Sequence, residues 1–262
     1  MRAGLNNGEI MALKVGRVSE LNLEPFYLDM PRRGIELADM KVQDLAHAIE
    51  RQEIDAGPLS LVDAFRLEDR LKPVSGFCVA AVGSAVNSLL FSEIPILELS
   101  NAPIVAVDVD STSDRLLDVI LRVRYDIQPG PRVSPDEPHQ AVLITGDPAL
   151  RRRRGMRGYP HRYDLGWEWN QWTGLPFVFC RWMSRNDLEE SAAALLEDTL
   201  YVGLEDGIDS LYHVTEPRDR LLMLPKDIAQ YVQGLRFYIG RSENQAVNLF
   251  RGYLDQIGAD HK

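Results

Sequence analysis

Short apolar runs alternate with amphipathic stretches along most of this chain. "ALKVGRVS" reads as a strand, a polar loop Ser19-Glu20-Leu21-Asn22 follows, and "ELADMKVQDLAHAIERQEID" carries apolar residues at helical spacing. A short apolar run, "IDAGPLSLVDAF", comes next. "PVSGFCVAAVGSAVNSLLFS" then reads as strands broken at Gly and Ser. "PIVAVDVDSTSDRLLDVILRVRYDI" repeats the opening pattern: a strand, a polar turn at Asp110-Ser111-Thr112-Ser113, and a helix with Leu116, Leu117, Ile120, Leu121 and Val123 on its apolar face. "HQAVLITGDPALRRR" does so a third time. After the apolar "GLPFVFCRWM", the pattern is helical to the end apart from breaks near Pro217 and Pro225. Strands alternating with helices predict an α/β fold on mixed, mostly parallel sheets, with helices on both faces. In such sheets ligands bind beyond the carboxyl ends of the strands, where the three polar turns fall.

Composition narrows the function classes. With 262 residues, 45% hydrophobic and 26% charged, the chain can bury a large core as one domain or two lobes. A net charge of -10 argues against a nucleic acid or an anionic membrane as partner, so an anion has to be captured locally. Cys78 and Cys180 lie in apolar runs without metal or redox spacing and read as buried free thiols. No run approaches the length of a membrane span and no signal-peptide pattern opens the chain, which predicts a cytoplasmic protein with residues 1–11 as a loose leader. His47, His139, His161, His213 and His261 are scattered without metal-ligand spacing, so no metal is expected. The signatures of serine hydrolases, P-loop enzymes and dinucleotide-binding folds are absent. The basic run Arg151 to Arg154 is either a phosphate site or a solvated helix end, the second being the commoner. Trp167, Trp169 and Trp172 either stack on a ligand ring or pack in the core, again the second being the commoner.

The polar turns carry the candidate chemistry. Helix N-termini offer unpaired N–H groups and a positive dipole end, and Ser19, Asn22, Ser111 and Ser113 would complete a carboxylate site there. The same residue types also cap helices, and for any one loop that is the simpler account.

"GRVSELN", "EIDAGPLSLVDAF", "LLFSEIPILEL", "AVLITGDPAL" and "YDLGWEWNQWTGLPFVF" together, in this order from about Leu13 to about Gly258, resemble the chorismate dehydratase family of menaquinone biosynthesis, the futalosine route. The resemblance implies a periplasmic-binding-protein-like fold of the second type, with the ligand between two α/β lobes. Lobe 1 would comprise residues 1–90 and 178–262, and lobe 2 residues 91–177. The chain would cross near Leu89 to Ser92 and near Pro176 to Cys180, with the C-terminal helices packed on lobe 1. It also implies a cofactor-free conversion of chorismate to 3-[(1-carboxyvinyl)oxy]benzoate by a monomer or homodimer with a small carboxylate as its partner. Matched by position, Asn22 orients the reacting ring, Pro58 and Ser60 wall the first lobe, Ser111 and Ser113 supply hydroxyls from the second, and Gly146 and Asp147 end the third strand. Asp147 has a second reading, as a cap of its own helix.

Three positions depart from the family's pattern. In Gly83-Ser84-Ala85-Val86-Asn87 the amide of Asn87 replaces a functional Ser, with Ser84 beside it as a further contact. Glu20 and Asp114 add carboxyls at the rim of a site for a dianion, where they must be turned away, protonated or paired with Arg17 or Arg115. The base is then Glu20, Asp114 or the substrate's own enolpyruvyl carboxylate; the last needs no extra residue and leaves Glu20 and Asp114 dispensable. A non-catalytic binding protein for a similar acid is the alternative, since one fold serves both uses.

Overall fold

The computed structural model describes residues 12–106 and 108–259. His261 and the proposed leader, residues 1–11, lie outside them. The elements in chain order are β1 (Lys14–Arg17), α1 (Glu24–Tyr27), β2 (Glu36–Asp39), α2 (Val42–Glu50), β3 (Ala56–Ser60), α3 (Leu61–Arg66), β4 (Leu71–Ala81), β5 (Ser88–Ser92), β6 (Ile104–Ala106), α4 (Ser111–Val119), β7 (Arg132–Val133), β8 (Ala141–Thr145), α5 (Gly146–Arg152), β9 (His161–Asp164), α6 (Leu165–Thr173), β10 (Phe177–Arg185), α7 (Glu190–Tyr212), α8 (Pro225–Gln233), β11 (Leu235–Tyr238) and α9 (Arg241–Ala259). They build two sheets, one of order β11-β4-β10-β3-β1-β2 and one of order β7-β6-β8-β5-β9.

The alternation of strands and helices matches the α/β expectation, with three corrections. The sheets are mixed, as expected, but not mostly parallel: β1 runs parallel to β2 and β3, and β6 to β7 and β8, while the pairings of β10, β11, β5 and β9 are antiparallel. The stretch expected as one helix from Glu36 begins with β2, because the backbone of Glu36–Asp39 pairs residue for residue with β1 before α2 starts at Val42. The C-terminal region is not helical throughout, since β11 adds an edge strand to β4.

The chain leaves the first sheet at Ala81 and enters the second at Ser88, so the crossing spans 82–87. Residues 88–90 therefore pair within the second sheet, not the first. The return follows α6 and is complete at Phe177. The crossing is anchored by Asp164, the N-cap of α6. Its carboxylate accepts the Ala85 and Val86 N–H groups at 2.9 and 2.7 Å and the Ser84 hydroxyl at 2.5 Å. Helix α9 lies on β10 and also against α4, so it spans both sheets rather than packing on the first alone.

One continuous core joins the sheets. Trp182, fully buried on β10, packs against Phe26 and Tyr27 of α1. Trp169, also fully buried, meets Phe177, Phe250, Tyr253 and Trp172 edge-on, so Trp169 and Trp172 hold α6 to α9, while Trp167 is 47% exposed. Close approach of α7 to α1 depends on Gly207, where a Cβ would collide with Pro25. Both cysteines are free and buried. Arg153 of the basic run reaches Asp227 of α8 at 2.8 Å and so ties α5 to α8. Among the described residues no cluster of His, Cys, Asp and Glu has the arrangement of a metal site, and no helix is long and apolar enough to cross a membrane.

Candidate functional site

The carboxyl ends of β1, β3 and β8, with the segment ahead of α4 and the end of the crossing loop, converge on a cavity between the two sheets. Glu20, Asn22, Leu23, Val42, Pro58 and Ser60 line it from one side. Asn87, Asp110, Ser113 and Gly146 face them, and Phe179 and Cys180 of β10 form the floor. Its volume of about 40 Å³ holds roughly three waters.

The loop after β1 is fixed by its backbone and not by helix capping. Glu20 donates its N–H to Val18 O at 2.9 Å, and Leu23 and Glu24 return theirs to Glu20 O. Helix α1 is only four residues long and Leu23, not Ser19 or Asn22, occupies its N-cap. The Tyr27 hydroxyl receives Val18 N–H and donates to Gly16 O, pinning the end of β1. This turn carries Asn22, only 6% exposed, into the cavity and leaves Ser19 outside. Ser19 lines a separate shallow groove with Arg17, Glu24, Tyr27 and Arg220. Ser84 is likewise outside, spent on Asp164.

Among the described residues, two polar atoms at the cavity have no hydrogen-bond partner: Asn87 Oδ1 and Ser113 Oγ, on residues 6% and 1% exposed. A buried amide or hydroxyl without a partner costs about 1–3 kcal/mol, so this wall is built to receive something that hydrogen-bonds. Ser113 sits in the first turn of α4, whose N-cap is Asp110; its carboxylate accepts Ser113 N–H at 2.8 Å. The N-terminus of α4 is therefore already filled by the chain's own carboxylate.

Ser60 caps α3 and meets Ser111 Oγ across the cleft at 2.6 Å, while Ser111 donates to Asp63 Oδ2 at 2.8 Å. With Val62 N–H on Thr112 Oγ1 at 2.9 Å, these bonds close one mouth of the cavity, and Ser111 itself does not line it. Asp147 closes another. It does not cap its own helix: one carboxylate oxygen accepts Leu21 N–H from the opposite sheet at 3.0 Å, and the other lies 2.9 Å from Arg220.

The added carboxyls separate cleanly. Asp114 pairs with Arg132 at 2.6 Å, not with Arg115, and points away from the cavity. Arg17 is taken by Asp39. Glu20 faces the cavity beside Gly146, whose φ of +63° suits glycine and where a Cβ would run into the Glu20 carboxyl. Burial, reinforced by Asp147 and Asp110, pushes Glu20 up to about 8. Burial also raises Asp110 and Asp147, and holds the Cys180 thiol in its neutral form. Among the described residues no Arg or Lys lines the cavity.

Of the residues expected from sequence, Asn22, Pro58, Ser60, Asn87, Ser113 and Gly146 meet at the cavity; Ser111 and Asp147 bridge its rims; Ser19 and Ser84 lie apart. Glu20 was legible only as a departure from a pattern and Asp110 only as a turn residue. Val42, Phe179 and Cys180 give no polar signal at all.

A family model described as menaquinone biosynthesis matches residues 13–256. Among solved structures, the chain is similar to protein AF1704 from Archaeoglobus fulgidus, at 13% identity over 95% of this chain and 98% of that one, with a TM-score of 0.73. It is similar also to the alkanesulfonate-binding protein SsuA from Xanthomonas axonopodis pv. citri bound to MOPS, at 12% identity over 95% and 93% with a TM-score of 0.57. The periplasmic aliphatic sulphonate binding protein SsuA from Escherichia coli gives 14%, 95%, 87% and 0.56. At these identities the likeness is one of fold, and the two-sheet α/β architecture is that of periplasmic-binding-protein-like chains.

Proposed function

The chain belongs to the menaquinone biosynthesis family, and from that premise we propose that it is a chorismate dehydratase-like lyase that converts chorismate to 3-[(1-carboxyvinyl)oxy]benzoate in the cleft between two lobes. The observation that supports this reading most is the convergence of Asn22, Pro58, Ser60, Asn87, Ser113 and Gly146 on one cavity, with two buried polar atoms that have no partner among the described residues.

Loss of water aromatises the ring, so the driving force lies in the substrate and the protein has to orient it and stabilise charge as the hydroxyl leaves. In this reading the Asn22 amide holds the reacting face of the ring. The Ser113 hydroxyl and the Asn87 amide bond the substrate's polar groups from the other side. The enolpyruvyl carboxylate removes the C3 proton. Apolar Pro58, Leu23 and Phe179 exclude water around the ring.

The Ser60–Ser111 and Leu21–Asp147 bonds bridge the rims of the cavity, so in this reading entry requires the two sheets to separate there and to close again over the substrate. A second reading, a non-catalytic binding protein for a related acid, draws on the carboxyls of Glu20 and Asp110 and on the absence of Arg and Lys from the lining. Purified protein incubated with chorismate at neutral pH, followed by liquid chromatography with mass detection, separates the two. Product formation supports the lyase, whereas stabilisation by the acid without product supports the binder.

A further inference from the structure

Glu20 faces the cavity in a way its neighbours do not. Asp110 is engaged by Ser113 N–H, and Asp147 by Leu21 N–H and Arg220, but the Glu20 carboxyl takes no hydrogen bond or ion pair among the described residues. It lies against Gly146 and shares the cavity with Asn22, Asn87 and Ser113. The two unpartnered atoms on Asn87 and Ser113 mark the space in front of it as a place for a polar ligand.

We propose that Glu20, which the sequence reading left dispensable, is a catalytic acid of the dehydration, its carboxyl giving a proton to the departing ring hydroxyl. This role rests on the chorismate reading above. The C3–H bond breaks, its proton passing to the enolpyruvyl carboxylate and its electron pair forming the new C3=C4 bond. The C4–O bond breaks with its pair on oxygen, which takes the Glu20 proton and leaves as water. The proton held by the enolpyruvyl carboxylate then returns to Glu20 through solvent, so the net change is loss of one water.

The surroundings keep the proton in place near neutral pH. Burial, Asp147 and Asp110 bring Glu20 to about 8. The other groups that feel its charge are Tyr27 of α1, Cys180 of β10 and Tyr231 of α8, each raised by burial and uncharged in this range. Arg218 pairs with Glu24 and Arg220 with Asp147, so neither is committed to Glu20. A bound dianion adds negative charge and strengthens the effect. A neutral carboxylic acid also removes the repulsion that an ionised Glu20 would exert on that dianion.

The test is kcat and KM for chorismate from pH 6 to 10, for wild type and Glu20→Gln, with stabilisation by chorismate measured in parallel. The wild-type kcat/KM, which reports the free enzyme, should fall tenfold per pH unit above the Glu20 titration, and the fall in kcat should begin at higher pH. Glu20→Gln should lose about 10²–10⁴ in kcat, with KM and stabilisation little changed and the alkaline fall gone. A variant with wild-type kcat, or one that keeps the alkaline fall, overturns the assignment. Should the variant not fold, the wild-type profile decides alone: a kcat/KM that is flat or rises from pH 8 to 10 overturns it. A wild type that turns nothing over removes the chorismate reading and this role together, whereas an active wild type beside an equally active variant removes the role only.

Discussion

Glu20 makes the fold itself sensitive to pH. Its carboxyl ionises near 4.5 when exposed and near 8 in the closed cavity. Between these values the folded chain binds the proton and the unfolded chain does not, so stability is highest at and below about pH 4.5 on this account and is lost progressively as pH rises to 8. At about 1.4 kcal/mol per pKa unit, the loss approaches about 5 kcal/mol, a ceiling set by the site staying closed. Glu20→Gln keeps the shape and cannot ionise. Its stability relative to wild type should therefore be near zero at pH 5 and strongly positive at pH 9. For a chain of this length about 2–4 °C of Tm accompanies each kcal/mol, so the variant should melt roughly 10 °C or more above wild type at pH 9. Thermal unfolding of both proteins across pH 5–9 measures this, and taking the difference removes titrations common to both. A Tm difference that does not change with pH, or a variant that melts lower at pH 9, would refute the reasoning.

Gly146→Ala should cost about 1–3 kcal/mol and displace Glu20, because residue 146 has φ +63° and its Cβ meets that carboxyl; urea unfolding reads the first effect and the pH dependence of stability the second. Ser111→Ala removes the Ser60 and Asp63 bonds across the cleft and should lower stability by about 1 kcal/mol while leaving the cavity wall intact, which small-angle scattering would report as a more open average shape. Asp114→Asn should retain turnover, since Asp114 faces Arg132 and not the cavity; a large fall in kcat would show that it acts at the site. Trp169→Ala empties a fully buried position between α6 and α9 and should cost about 3–5 kcal/mol in thermal or urea unfolding.

The alternation of β1, β3, β6 and β8 with their helices could be read from the chain because each strand is a short apolar run ended by a polar turn. Strand direction could not. The run of β10 is buried along most of its length, which reads equally as a parallel strand, although it pairs antiparallel on both sides. Strand β2 was hidden because Leu37 and Met40 continue the helical spacing of Val42, Leu45 and Ile49. Strand β11 has only four residues between two helices, too few for an alternation to register. At the site, Asn22 and Ser19 look alike as polar turn residues, and only the pinning of β1 by Tyr27 turns one inward and the other out. Ser84 is polar for the sake of Asp164, a residue 80 positions away in the chain. Cys180 and Phe179 look like core residues and become the cavity floor because β10 passes between the sheets' loops.

The central claim is that the cavity holding Asn22, Asn87 and Ser113 carries out the dehydration of chorismate. The most direct measurement is formation of 3-[(1-carboxyvinyl)oxy]benzoate from chorismate by wild type, Asn22→Ala and Ser19→Ala side by side at neutral pH. Product is expected from wild type and from Ser19→Ala, whose side chain is outside the cavity, and loss of turnover in Asn22→Ala with the fold intact. Undiminished turnover in Asn22→Ala, or no product from any of the three, would contradict that claim.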